Sequence, residues 1–185
     1  MGHRFSDLLF SPPVKAVQEE QDSRRIYQRW EGGEDHHQQL TEREAQFIQA
    51  RDSFYLASVS PDGWPYIQHR GGPRGFLKVL DAERIGFADY KGNRQYITTG
   101  NLRVNQKIAL FLMDYPNQRR LKLLGYATEL DSRAEQLELL RDPEYPATPE
   151  RGFIIQVAAF DWNCSQHITP RYDQSMLDAM NRERP

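Results

Sequence analysis

Between Ser53 and Ala88 the chain carries four strand-like runs within about forty residues, joined by tight connections, a spacing that points to an antiparallel barrel or sandwich. Phe54–Val59 and Trp64–Arg70 are separated by Pro61-Asp62-Gly63, where proline fixes φ and glycine tolerates a positive φ. Phe76–Leu80 and Arg84–Ala88 follow, joined across the polar turn Asp81-Ala82-Glu83. Three more runs come later. Ile108–Met113 is almost continuously apolar, as expected of a central strand buried on both faces. After a turn at Pro116-Asn117, Leu121–Leu130 reads as a long strand, with Gly125 as a bulge or close-approach point. Phe153–Phe160 closes the series.

Helical patterns flank these strands. Val14–Trp30 has apolar positions scattered among charges, which suggests one or two helices packed on something larger. Thr41-Glu42-Arg43-Glu44 is a capping box that opens a helix to about Arg51, placed to plug one end of the barrel. A helix is expected over Arg94–Leu102, and a second capping box, Ser132-Arg133-Ala134-Glu135, predicts one reaching about Arg141. Tyr172–Asn181 is the last, with Met176, Leu177 and Met180 as its apolar stripe. The expected organisation is one structural domain: a helical extension over residues 1–40 packed on a barrel of residues 41–185.

A net charge of −2 gives no reason to expect a nucleic-acid partner. No apolar run approaches the ~20 residues of a membrane helix, and the first residues lack the apolar core of a secretory signal. Cys164 stands alone, so no intrachain disulfide can form; a reducing, cytoplasmic setting is the expectation. His36-His37 reads as an exposed loop rather than a metal site, because chain neighbours point apart.

The chemistry-bearing stretch runs from Gln68 through Lys78 and resumes from Asp89 to Arg94. Cations cluster at Arg70, Arg74 and Lys78, and again at Lys91 and Arg94. If the two strands pair as a hairpin, both sets can converge on one small anion, and the glycines let a flat ligand lie against backbone. Asn93 and Arg94 stand where a helix would begin, a position whose free amides favour phosphate. The rival reading is a twisted hairpin with an ordinary basic edge. Cys164 and His167 suggest a nucleophile pair, but no third orienting group is assignable, and a lone cysteine is more often a small buried hydrophobe.

Leu77-Lys78, Asn93-Arg94, Trp162 and Arg171, in that order, resemble the flavin-binding core of the pyridoxamine 5'-phosphate oxidase-like family, the FMN-binding split β-barrels. The resemblance runs from near Phe54 to Arg171 and implies a mainly β, antiparallel, Greek-key split barrel with flanking helices. It implies FMN as cofactor at the interface of a homodimer, with Lys78 and Arg94 on the phosphate, Arg70 or Arg74 as a third cation, and Trp162 and Arg171 beside the flavin. Arg120 falls where the family uses a polar residue near the flavin. The full set expected around the cofactor is His69, Arg70, Phe76, Leu77, Lys78, Asp89, Asn93, Arg94, Arg120, Trp162 and Arg171. The implied function is that of a flavin-dependent oxidoreductase on an unidentified small molecule, with a nicotinamide donor as a candidate electron source. The alternatives are a non-catalytic flavin binder or sensor, or a barrel using deazaflavin or haem, the last needing His69 or His167 as axial ligand. One departure stands out. The vitamin B6 oxidases carry an Arg-x-His substrate clamp after the tryptophan, whereas this chain reads His167-Ile168-Thr169-Pro170. The chain is therefore not expected to oxidise pyridoxamine 5'-phosphate.

Overall fold

The computed structural model describes residues 3–32, 39–162 and 165–182. The His36–His37 pair, Asn163 and Cys164 lie outside the described residues. Three short helices, α1 (Arg4–Leu9), α2 (Pro12–Glu20) and α3 (Arg24–Tyr27), lead through a 3-10 turn at Gln28–Trp30 to α4 (Glu42–Gln49). The strands are β1 (Ser53–Val59), β2 (Pro65–Gly71), β3 (Lys78–Val79), β4 (Arg84–Tyr90), β5 (Lys107–Asp114), β6 (Arg119–Leu130) and β7 (Pro149–Trp162). Between and after them lie α5 (Ile97–Leu102), α6 (Gln136–Leu140) and α7 (Gln174–Arg182).

All the strands join one antiparallel sheet in the order β2-β1-β5-β6-β7-β4-β3. The neighbours β1/β5 and β4/β7 are not sequential, which gives the Greek-key character. The sheet curls until its two ends meet. Phe54 of β1 lies 5.2 Å, centroid to centroid, from Phe87 of β4, and 5.4 Å from Phe76 just before β3, although neither segment pairs with β1. This is a split barrel. Phe54, Phe87, Phe153 and Phe160 fill its interior with Leu56, Leu110, Leu112, Leu121 and Leu123. The side chains of α4, Phe47 and Ile48, close one end. The Thr41–Glu44 capping box forms as expected, and the buried Glu44 carboxylate also accepts the indole N–H of Trp162 at 2.6 Å. Gly125 is a close-approach point, since a Cβ there would stand 2.6 Å from the Gln156 carbonyl oxygen, beside a register shift between Leu124 and Gly125.

Several boundaries differ from the sequence pattern for local reasons. β3 shrinks to Lys78–Val79 because Phe76 and Leu77 turn into the core. α5 starts at Ile97, not Arg94, because Arg94 and Tyr96 both have positive φ and the Asn93 side chain accepts from the amide of Gln95. The second capping box does not form. Asp131 instead accepts the amide of Arg133, an Asx turn, and α6 begins only at Gln136. β5 is not buried on both faces: Ile108, Leu110 and Leu112 face the core while Ala109, Phe111 and Met113 are half-exposed.

Candidate functional site

The curl brings the two separated cation-bearing stretches together. β2 delivers Gln68 and Arg70, β4 delivers Asp89, and the loop into α5 delivers Asn93 and Arg94. With Tyr96, Thr98, Thr99 and Glu150 they line a polar, half-open cavity of about 200 Å3. α5 is held over this site by two polar contacts. The Thr98 hydroxyl donates to Gln68 Oε1 at 3.1 Å, and Asn101 Nδ2 donates to the buried Ser58 hydroxyl at 2.9 Å.

Charge in the site is layered. Arg70 forms an ion pair with Asp89, and both side chains are largely shielded. Asp89 lies 3.5 Å from Arg151 Nε, and Arg151 in turn donates to Glu129 at 2.9 Å. Burial raises the Asp89 carboxyl above its ordinary value, and the charges of Arg70 and Arg151 oppose that rise without cancelling it. The Nε of Arg70 is buried without a hydrogen-bond partner, so the cation at the cavity wall is not fully satisfied by protein. At the exposed rim, Arg94 Nε donates to the Tyr96 hydroxyl at 3.1 Å, which lies 3.4 and 3.5 Å from the two carboxylate oxygens of Glu150. Arg94 (φ 61) and Tyr96 (φ 53) are both left-handed. Each such non-glycine residue costs about 1–2 kcal/mol, and strain of this kind concentrates at ligand-binding loops.

Residues 40–155, more than half of the chain, match the family model described as pyridoxamine 5'-phosphate oxidase. The chain belongs to the pyridoxamine 5'-phosphate oxidase family. No curated protein sequence matches it. Among solved structures, HupZ of Group A Streptococcus is similar over 72% of this chain and 99% of its own, at 17% identity and a TM-score of 0.55. A pyridoxamine 5'-phosphate oxidase candidate from Lactobacillus delbrueckii is similar over 68% of this chain and 96% of its own, at 21% identity and a TM-score of 0.53. At these identities the structures speak for the family's fold alone.

Of the residues expected around a cofactor, Arg70, Asp89, Asn93 and Arg94 line the one cavity. The others are placed elsewhere. Phe76 and Leu77 are core residues, Phe76 stacking on Phe54. Lys78 sits half-buried opposite Gly86, outside the cavity lining. His69 is exposed, its ring edge-on to Tyr55 at 5.6 Å. Arg120, opposite Met113 in β6, has a buried Nε without a partner. Trp162 closes the end of the barrel, edge-on to Phe47 at 4.7 Å, with the guanidinium groups of Arg43 and Arg119 at 4.4 and 5.0 Å from its ring. Arg171 stacks over Tyr115 at 4.8 Å and lines a second cavity with Arg51 and Arg74. Arg74 pairs there with Asp173 at 3.3 Å. Tyr96, Thr98, Thr99 and Glu150 were not foreseen. Tyr96 falls inside the helix expected over Arg94–Leu102, and Glu150 is more than fifty positions from its partner. The polar run Gly92–Gln95 was the available sign that the helix starts late.

Proposed function

We propose that the cavity lined by Arg70, Asn93 and Arg94 holds the phosphate of FMN, and that the chain works as a flavin-dependent oxidoreductase on a small molecule. The observation that carries this reading is the convergence of Arg70 and Arg94, from opposite ends of the curled sheet, on one cavity in a chain of this family. Its size suits a phosphate and the nearest part of the ribityl chain, leaving the ring outside the mouth. The donor set fits a dianion: two guanidinium groups together with the Asn93 and Thr99 side chains. Asp89 keeps Arg70 in place, so the charge is presented without a rearrangement. FMN, when bound, supplies the electron transfer itself.

A second copy of the chain completes the reading. The outer face of β1, β2, β5 and β6 carries Tyr55, Ala57, Ile67, Ala109, Phe111 and Leu124, flanked by Phe5 and Leu9 of α1. Ile67 is 64% exposed, and an apolar sheet face of this kind suits burial against its own copy.

The test is a spectrum of the purified protein followed by FMN titration of the flavin-free chain. Arg70→Ala and Arg94→Ala are each expected to weaken FMN binding by about tenfold or more, the worth of a charge-assisted contact. Full flavin stoichiometry in the double variant would overturn the site. Anaerobic titration with nicotinamide donors then separates an oxidoreductase, whose flavin bleaches, from a passive binder, whose flavin does not. With pyridoxamine 5'-phosphate the expected outcome is no turnover at an enzymatic rate, since His167-Ile168-Thr169-Pro170 lacks the clamp.

A further inference from the structure

The cavity assigned above to a phosphate already contains an anion of its own. Glu150, at the start of β7, lines it. Its carboxylate is held by two long contacts, the Tyr96 hydroxyl at 3.4–3.5 Å and Arg151 Nη2 at 3.5 Å. Arg151 has a better partner, and the Tyr96 hydroxyl is shared with Arg94. Arg151 donates to Glu129 at 2.9 Å, and the Tyr96 hydroxyl accepts from Arg94 Nε at 3.1 Å. Arg151 also lies over the Tyr96 ring, 4.7 Å from its centroid, which fixes the phenol between the two arginines. Asp89 differs: it pairs with Arg70, lies beside Arg151 and is largely shielded, part of the wall. Glu150 is therefore the carboxylate of this cavity that a ligand can displace most readily.

We propose that Glu150 is an internal competitor for the anion subsite, holding Tyr96 and, through it, Arg94, so that an entering phosphate binds by taking both groups from it. The inference rests on the flavin-phosphate reading and adds a selectivity to it. Two anions in a half-enclosed cavity repel each other more strongly than in open water, and only one can own the Arg94–Tyr96 donor pair. Glu150 thus sets a threshold. A ligand must bring enough negative charge and hydrogen-bonding capacity to displace a carboxylate, and weakly charged mimics leave Glu150 where it is. Arg94 and Tyr96, both left-handed in backbone, line the cavity together with Glu150.

The experiment compares FMN with riboflavin, which shares the ring and ribityl chain but lacks the phosphate. Both are titrated by flavin fluorescence into the flavin-free full chain as wild type, Glu150→Gln, Arg94→Ala and the double variant. Glu150→Gln is expected to raise the FMN-to-riboflavin affinity ratio about five- to tenfold, by removing one repelling charge. In the Arg94→Ala background the same substitution is expected to change the ratio by no more than about twofold, because the contested donor is gone. Glu150→Ala repeats the measurement should the glutamine variant fold poorly. An unchanged or lower ratio in the Glu150 variants, with wild type still preferring FMN, overturns the inference and leaves the flavin reading standing. A wild-type ratio near one, or no flavin binding by any protein, overturns both.

Discussion

Glu44 shows how much one side chain can join. Its carboxylate takes the Thr41 amide at 3.1 Å and the Trp162 indole N–H at 2.6 Å, so a helix start and a strand end far apart in the chain share one buried group. Burial by itself would raise its pKa. The hydrogen bonds from the Thr41 hydroxyl, Trp162 and the backbone outweigh burial and hold it below the ordinary carboxylate value. A folded-state pKa below the unfolded one adds stability that is present above the unfolded value and lost as pH falls through the folded value. Glu44→Gln is expected to cost about 1–3 kcal/mol near neutral pH, with the gap to wild type narrowing below about pH 4.5. Urea denaturation at neutral and acid pH measures both; a gap that stays constant would show that the charge of Glu44 is not what matters.

Among the elements, the loop from Lys91 to Tyr96 and strand β6 carry the sharpest expectations. Arg94 holds a backbone conformation that glycine adopts freely, so Arg94→Gly should be no less stable than Arg94→Ala, by up to about 1 kcal/mol in its favour, while both bind FMN poorly. A thermal melt of the two variants compares them. Gly125→Ala would drive a methyl into the Gln156 carbonyl and should cost about 1–3 kcal/mol, read as a lowered Tm. These elements also mark where the sequence could be read and where it could not. The strands from Phe54 to Ala88, the capping box at Thr41 and the close approach at Gly125 each follow from local pattern. Ser132-Arg133-Ala134-Glu135 has the same local pattern as Thr41–Glu44, yet Asp131, one residue earlier, offers the backbone a turn that wins. The half-exposed outer face of β5 was also hidden. Apolar residues on both faces look alike whether the second face meets the protein's own core or stands at its surface.

For the molecule as a whole, the outer sheet face makes a direct demand. Ile67→Asp puts a charge in the middle of it and is expected to shift sedimentation towards that of a single chain; a wild type that already sediments as one chain would refute the proposed pairing. The site itself was legible only in part for the same long-range reason. Arg70, Asp89, Asn93 and Arg94 can be named from the chain, but their meeting depends on the sheet curling through β5, β6 and β7. Lys78 and Arg171 are named by the same pattern and end up outside that cavity.

The Arg70–Asp89 pair spans the slit where the two edges of the sheet face each other, and there it is side chains, not main-chain ladders, that do the fastening. Such a fastening can tighten or slacken without any strand letting go of its neighbour. Amide exchange in β2 and in the loop around Arg94 should then slow when a phosphate-bearing flavin arrives, while the long β6–β7 ladder exchanges as before, so that the protein registers its ligand along a single line of its surface.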